Sequence, residues 1–86
     1  MITKKELLDR GFNKIDFWPF EYTKSKFDDD ENMFSINVNF NETDEISEIN
    51  FDCYIARSSE GYGSDITLPV NTPIEDIDHL IRILNL

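Results

Sequence analysis

The sequence predicts an α+β fold in one acidic domain over residues 1–86: a short N-terminal helix, a four-stranded antiparallel meander sheet and a C-terminal helix, with both helices on one sheet face. Three observations predict it. Capping signals mark a short helix near each end of the chain. Between them, apolar and polar residues alternate with a period of two, over 34–40 and again over 49–55. The connections between these runs are short, which favours pairing between strands adjacent in sequence.

The first helix is expected at residues 4–10. Thr3 and Glu6 form a Thr-x-x-Glu capping box, Ile2 and Leu7 sit at hydrophobic-staple positions, and Gly11 followed by Phe12 supplies a left-handed stop. So short a helix cannot hold itself in water, so Leu7, Leu8 and Phe12 must pack on something. Residues 14–27 read as the first strand, with aromatic residues of both parities and Pro19 where the parity changes. A proline removes a ladder donor, so this strand belongs at an edge or carries a bulge. The cluster Phe17, Trp18, Phe20 and Tyr22 reads as a core corner around that proline.

Asp28 to Asn32 make a turn. The second strand sets Phe34, Ile36, Val38 and Phe40 against Ser35, Asn37 and Asn39; residues 41–45 turn the chain. The third directs Ile49, Phe51, Cys53 and Ile55 one way and Glu48, Asn50, Asp52 and Tyr54 the other. After a Ser58–Gly63 loop, the fourth turns Ile66, Leu68 and Val70 inward and carries Pro69. A second capping box, Thr72 with Glu75 and Pro73 at the first helical position, opens a helix at 73–84, with Ile74, Ile77, Ile81 and Leu84 on one stripe. In a meander the proline-bearing strands are the edges, where proline is tolerated. The face away from the helices, carrying Ser35, Asn37, Asn39, Glu48, Asn50, Asp52 and Tyr54, is expected to be open and wet.

The charge is lopsided. The net charge is −10, from eighteen acidic and eight basic residues. Residues 1–26 carry a net +2 and residues 27–86 a net −12. Between 27 and 52 there are nine acids and no lysine or arginine: Asp28, Asp29, Asp30, Glu31, Glu42, Asp44, Glu45, Glu48 and Asp52. Such a field disfavours nucleic acid and anionic membrane as direct partners and speeds association with a basic protein. These nine residues are the expected partner-binding set. Acidic turns also keep a small protein soluble, which is the plainer account of any single cluster.

Reactive chemistry is sparse. One cysteine, Cys53, rules out a disulfide framework and a multi-cysteine zinc site, and it suits a reducing cytoplasm. Asp28, Asp30 and Asn32 have the spacing that opens a calcium loop, but Met33 stands where that loop needs glycine and Asn39 where it needs glutamate. His79, the one histidine, is expected on the solvent side of the last helix and Cys53 in the core, which separates the two members of any Cys–His pair. Gly61-Tyr62-Gly63 lacks the later glycine and helix of a phosphate loop. No apolar run approaches the roughly 20 residues of a membrane span. The N-terminus is too charged for a signal peptide. The Asn41-Glu42-Thr43 sequon reads as chance. No enzymatic activity, cofactor or metal is expected.

The capped opening helix ending Leu-Leu-x-x-Gly-Phe, the meander and the final Thr-Pro-x-Glu helix resemble small uncharacterised α+β proteins carried by bacteria and phages. In size, acidity and lack of catalytic residues the chain is similar to anti-CRISPR and other anti-defence inhibitors. That resemblance implies a non-enzymatic inhibitor occupying the basic surface of a nucleic-acid-handling partner such as a nuclease. Two alternatives share these features: an immunity protein neutralising a cognate toxin, and a self-assembling structural module.

Overall fold

A computed structural model of the chain describes residues 1–15, 21–55 and 63–86. Helix α1 spans Lys4–Asp9, opened by the expected capping box: the Thr3 hydroxyl accepts the Glu6 N–H, and the Glu6 carboxylate accepts the Thr3 N–H at 2.9 Å. Gly11 adopts φ +84°, so its N–H reaches the Leu8 carbonyl and the Phe12 N–H reaches that of Leu7, both at 3.1 Å. These bonds satisfy carbonyls that a helix end would otherwise leave without donors. A Cβ at Gly11 would lie 2.8 Å from Lys24 Nζ. The ammonium thus sits at the negative end of α1, which has no basic residue of its own in the last turn.

The sheet has five antiparallel strands in sequence order: β1 (Asn13–Lys14), β2 (Tyr22–Phe27), β3 (Met33–Phe40), β4 (Ile46–Tyr54) and β5 (Gly63–Leu68). The expected single strand over 14–27 is a hairpin instead. Lys14 pairs with Tyr22 and Asn13 with Thr23, and the Ile15 N–H donates to the Glu21 carbonyl at 2.7 Å. The short β1 is therefore an edge and β2 an interior strand at its Tyr22 end. Of the expected aromatic cluster, Tyr22 is buried in the core, while Phe17, Trp18 and Phe20, with Pro19 and most of the Ser58–Gly63 loop, lie outside the described residues.

One sheet face carries the core. Register places Tyr22, Val38, Ile49 and Leu68 in one row, and Ile36 with Phe51 two residues further along. Leu7 of α1 and Ile77 of helix α2 (Ile74–Leu84) pack into the same buried cluster, with Ile2, Phe12 and Ile46. Both helices thus lie on one face, and the Arg10 guanidinium grips both oxygens of the Asp78 carboxylate to tie them together. A bulge between Asn39 and Phe40 inserts Ser47, and this lets Ile46 face the core although its parity differs from that of Ile49. Tyr22 meets the Phe40 ring edge-on at 5.5 Å.

Three local expectations need correction. Thr72 does not cap α2: its hydroxyl and N–H both bond to the Pro69 carbonyl, at 2.6 and 3.0 Å, and Pro73 takes the cap position without a side-chain bond. The fourth predicted strand turns its apolar residues inward only in part: Leu68 shares the row of Ile49 and packs against the core, and Ile66 lies in the row of Phe51 on the same face. β5 ends at Leu68, Ile66 is 57% exposed and Val70 lies beyond it in a turn. Cys53 is half-buried on the helix-side face, opposite Phe34 and Ser64, past the reach of the two helices. A helix of eleven residues spans about 16 Å, whereas the nine-residue β4 spans about 30 Å. The two helices do not reach one end of the sheet.

Candidate functional site

The register sorts charge by face. On the strands, the cations Lys14, Lys24 and Lys26 fall in the rows of Tyr22, Ile36 and Phe34, on the helix side. The strand carboxylates Glu48, Asp52 and Asp65 pair opposite Asn39, Ser35 and Asp52, on the other side. Among the described strand residues, none on this second face is a lysine or arginine.

This face is polar, but its centre is not wet. Ser35, Asn37 and Asn50 are 5%, 4% and 2% exposed. Their side chains bond to one another and to neighbours across the face. The Asn37 amide oxygen accepts from the hydroxyls of Thr23 at 2.6 Å and Ser35 at 2.7 Å. Its nitrogen donates to Asn50 Oδ1 at 3.2 Å and Asp52 Oδ2 at 3.1 Å. Asn50 passes the pattern on, donating to Asp65 Oδ2 at 3.3 Å. Asn37 thus uses all its donor and acceptor capacity. The carboxylates at the end can only accept when ionised, which fixes the direction of every amide in the ladder. The sequence reading missed both this burial and Asp65. Its signal was available in the alternation of Asp65 with Ile66 once β5 pairs with β4.

Asp52 and Asp65 are directly opposed across β4 and β5. Burial raises the Asp52 pKa above the ordinary carboxylate value; repulsion from Asp65 adds to the rise, and the Asn37 amide opposes it. Like charges so placed weaken strand pairing.

The two acidic turns sit at opposite ends of β3, about 25 Å apart for eight residues of extended chain. In the distal turn, away from the helices, Asp28 Oδ1 accepts the N–H groups of Asp30 and Asn32 at 2.9 Å, and its other oxygen accepts the Asn32 side-chain amide at 3.0 Å. The Asn32 side chain, then these backbone donors, hold the Asp28 pKa below its usual value. Asp28 is thereby committed to the turn, and Glu31 adopts φ +65°. In the proximal turn, Asp44 pairs with Lys4 at 2.7 Å, and Lys4 also lies 3.7 Å from Glu21. Asp29, Asp30 and Glu31 are exposed distally, and Glu42 and Glu45 proximally.

The nine expected residues therefore divide into a distal turn, a proximal turn touched by Lys4, and the polar face with Glu48 and Asp52. Asp65 joins the last group. No group of three or more His, Cys, Asp or Glu side chains among the described residues is arranged to hold a metal ion. His79 is exposed on α2 and lines an open groove with Asp76, Leu68 and Leu80. Among the described residues no helix is long and apolar enough to cross a membrane. Comparison with protein-family models, curated proteins and solved structures finds no match.

Proposed function

We propose that this chain is a non-enzymatic inhibitor that binds a basic, nucleic-acid-handling protein, of the nuclease type that anti-CRISPR and anti-defence inhibitors target, through the acidic sheet face on which no described strand residue is a lysine or arginine. The observation that carries the reading is the segregation of charge across the sheet: Glu48, Asp52 and Asp65 on one face, Lys14, Lys24 and Lys26 on the other. A partner's lysine- and arginine-lined groove would meet carboxylates without meeting a competing cation. The exposed acids of the distal turn would extend the contact, and occupation of the groove would exclude nucleic acid. The expected compartment is the cytoplasm, where such partners work.

Titration of the chain into purified basic nucleases, read by binding and by residual nuclease activity, tests the reading. Tight binding that weakens with added salt, and weakens again when Asp29, Asp30, Glu31, Glu48, Asp52 and Asp65 are neutralised together, supports it. Binding indifferent to that neutralisation, or to neutralisation of Glu42, Asp44 and Glu45 with them, rejects it.

An immunity protein for a cognate toxin would use the same face, and a toxin gene beside this one would favour that version. A self-assembling module is favoured by a separate observation: β5 is an edge strand with Ile66 exposed and no charged lysine or proline within it to blunt pairing. Sedimentation at several concentrations distinguishes it, since a salt-insensitive dimer fits edge pairing and not an electrostatic role.

A further inference from the structure

At the distal end of the polar face, register aligns Phe27, Met33, Tyr54 and Gly63 in one row. Phe27 is 67% exposed and Tyr54 40%. The next row on the same face brings Asp52 and Asp65 opposite each other. Among the described residues, Met33, Asp52, Cys53, Tyr54, Ser64 and Asp65 line a notch of about 210 Å³, to which Gly63 adds no side chain. That volume is below the roughly 300–1,000 Å³ of small-molecule sites and suits a single long side chain.

We infer that this notch is a docking site for one arginine side chain of a partner protein. The inference rests on the proposed acidic-face function and names the chemistry by which that face recognises its target. Three features single out arginine. The Tyr54 ring offers a flat π surface on which a planar guanidinium stacks and an ammonium does so less well. The two facing carboxylates offer oxygens for the parallel hydrogen bonds that a guanidinium fork makes. Among the described residues those carboxylates take amide donors, Asn37 and Asn50, and no cation, and the burial that raises the Asp52 pKa is offset when a cation arrives. Met33 supplies an apolar wall along which the arginine stem lies, and Phe27 follows it in the same row.

The geometry provides its own test. A Cβ at Gly63 would meet the Cys53 carbonyl and the Tyr54 ring only at 3.8 Å, an ordinary contact, so a side chain can begin there and Gly63→Val adds bulk beside Tyr54. Hexaarginine and hexalysine peptides are titrated into the full chain at low ionic strength, with backbone amide shifts as the readout. Wild type is expected to prefer hexaarginine by roughly fivefold, as an exposed stack would give, with the largest shifts at Asp52, Tyr54, Gly63 and Asp65. Gly63→Val and Tyr54→Leu should each reduce that preference to that of a shape-blind polyanion while leaving hexalysine affinity unchanged; thermal melts confirm that both variants fold. Equal affinity of wild type for the two peptides, or a preference that survives in both variants, overturns the arginine site and leaves the acidic-face reading standing. Failure of both peptides to bind overturns the two together.

Discussion

The turn at Asp28–Asn32 and the turn at Asn41–Glu45 share one backbone and differ in their surroundings. In each, the first side chain accepts the N–H groups two and four residues on, from Asp30 and Asn32 in one and Thr43 and Glu45 in the other. In each, the fourth residue adopts a positive φ, 65° at Glu31 and 62° at Asp44. Each is a three-residue hairpin loop with a left-handed residue before the second strand. The proximal turn is headed by neutral Asn41 and meets Lys4, whose ammonium also lies 5.4 Å from the centre of the Phe40 ring. The distal turn is headed by a carboxylate and extends past both helices. Acidity alone therefore does not define a binding surface. The fold engages Asp44 of one cluster with Lys4 and Asp28 of the other with its own turn, and leaves Glu42 and Glu45 exposed at one end and Asp29 and Glu31 at the other.

The largest break in this comparison comes from the core that gives the proximal end its cover. Ile77→Ala is expected to cost about 2–5 kcal/mol, and Ile66→Ala, toward the end the helices do not reach, less than about 0.5 kcal/mol, by chemical denaturation. Comparable losses from the two would contradict the division into an end packed by the helices and an end beyond them.

The heads of the turns come next. Asn41→Ala removes the acceptor of two backbone N–H groups and should cost about 1–2 kcal/mol. Asp28 differs in its response to pH. Its folded pKa lies below the ordinary value of 3.8, so its contribution is complete above that value and is lost as pH falls through the folded pKa. Asp28→Asn should remove that part of the acid transition, and Asn41→Asp should create a matching one, as followed by acid melts. Asp52 has the opposite sign. Its folded pKa is raised, so the stability favoured by its protonated form is lost as pH rises through that pKa. Asp52→Asn should stabilise the neutral-pH protein and flatten this dependence.

The left-handed positions give a smaller effect. A glutamate at φ +65° is strained where glycine is not, so Glu31→Gly should stabilise by about 1 kcal/mol. Asp44→Gly should gain less, because aspartate tolerates this conformation better and the substitution removes the Lys4 contact. Lys4→Met is the smallest, with no resolvable change in Tm at high salt, as expected for a surface ion pair.

Local signals with a single physical cause were readable in the residues. The Thr3–Glu6 box, the stop at Gly11 and the alternation across Phe34–Phe40 need only neighbours in sequence, and all three appear in the structure. Features that depend on pairing were not. Residues 14–27 hold enough apolar residues for one strand, and the pairing of Asn13 and Lys14 with Thr23 and Tyr22, with the bond from Ile15 back to Glu21, shows that the chain reverses. Thr72 met the pattern for a cap, but its hydroxyl found the Pro69 carbonyl first. Asn37 and Asn50 looked like solvent-facing residues because alternation assigns a face without telling how side chains on that face bond to one another. The acidic cluster was plain from composition; its division by Lys4, and the addition of Asp65, required the register.

The proposed function requires that the sheet face whose described strand residues include no lysine or arginine, and not acidity in general, attracts a basic partner. Helix α2 supplies the natural competitor, since Glu75, Asp76 and Asp78 lie there beside Arg82 and, for Asp78, Arg10. An amide-shift map of the chain titrated with hexalysine separates them. The account predicts shifts concentrated on Glu48, Asp52, Asp65 and the Asp28–Asn32 turn, with α2 unmoved. Shifts concentrated on Glu75–Asp78 would contradict it.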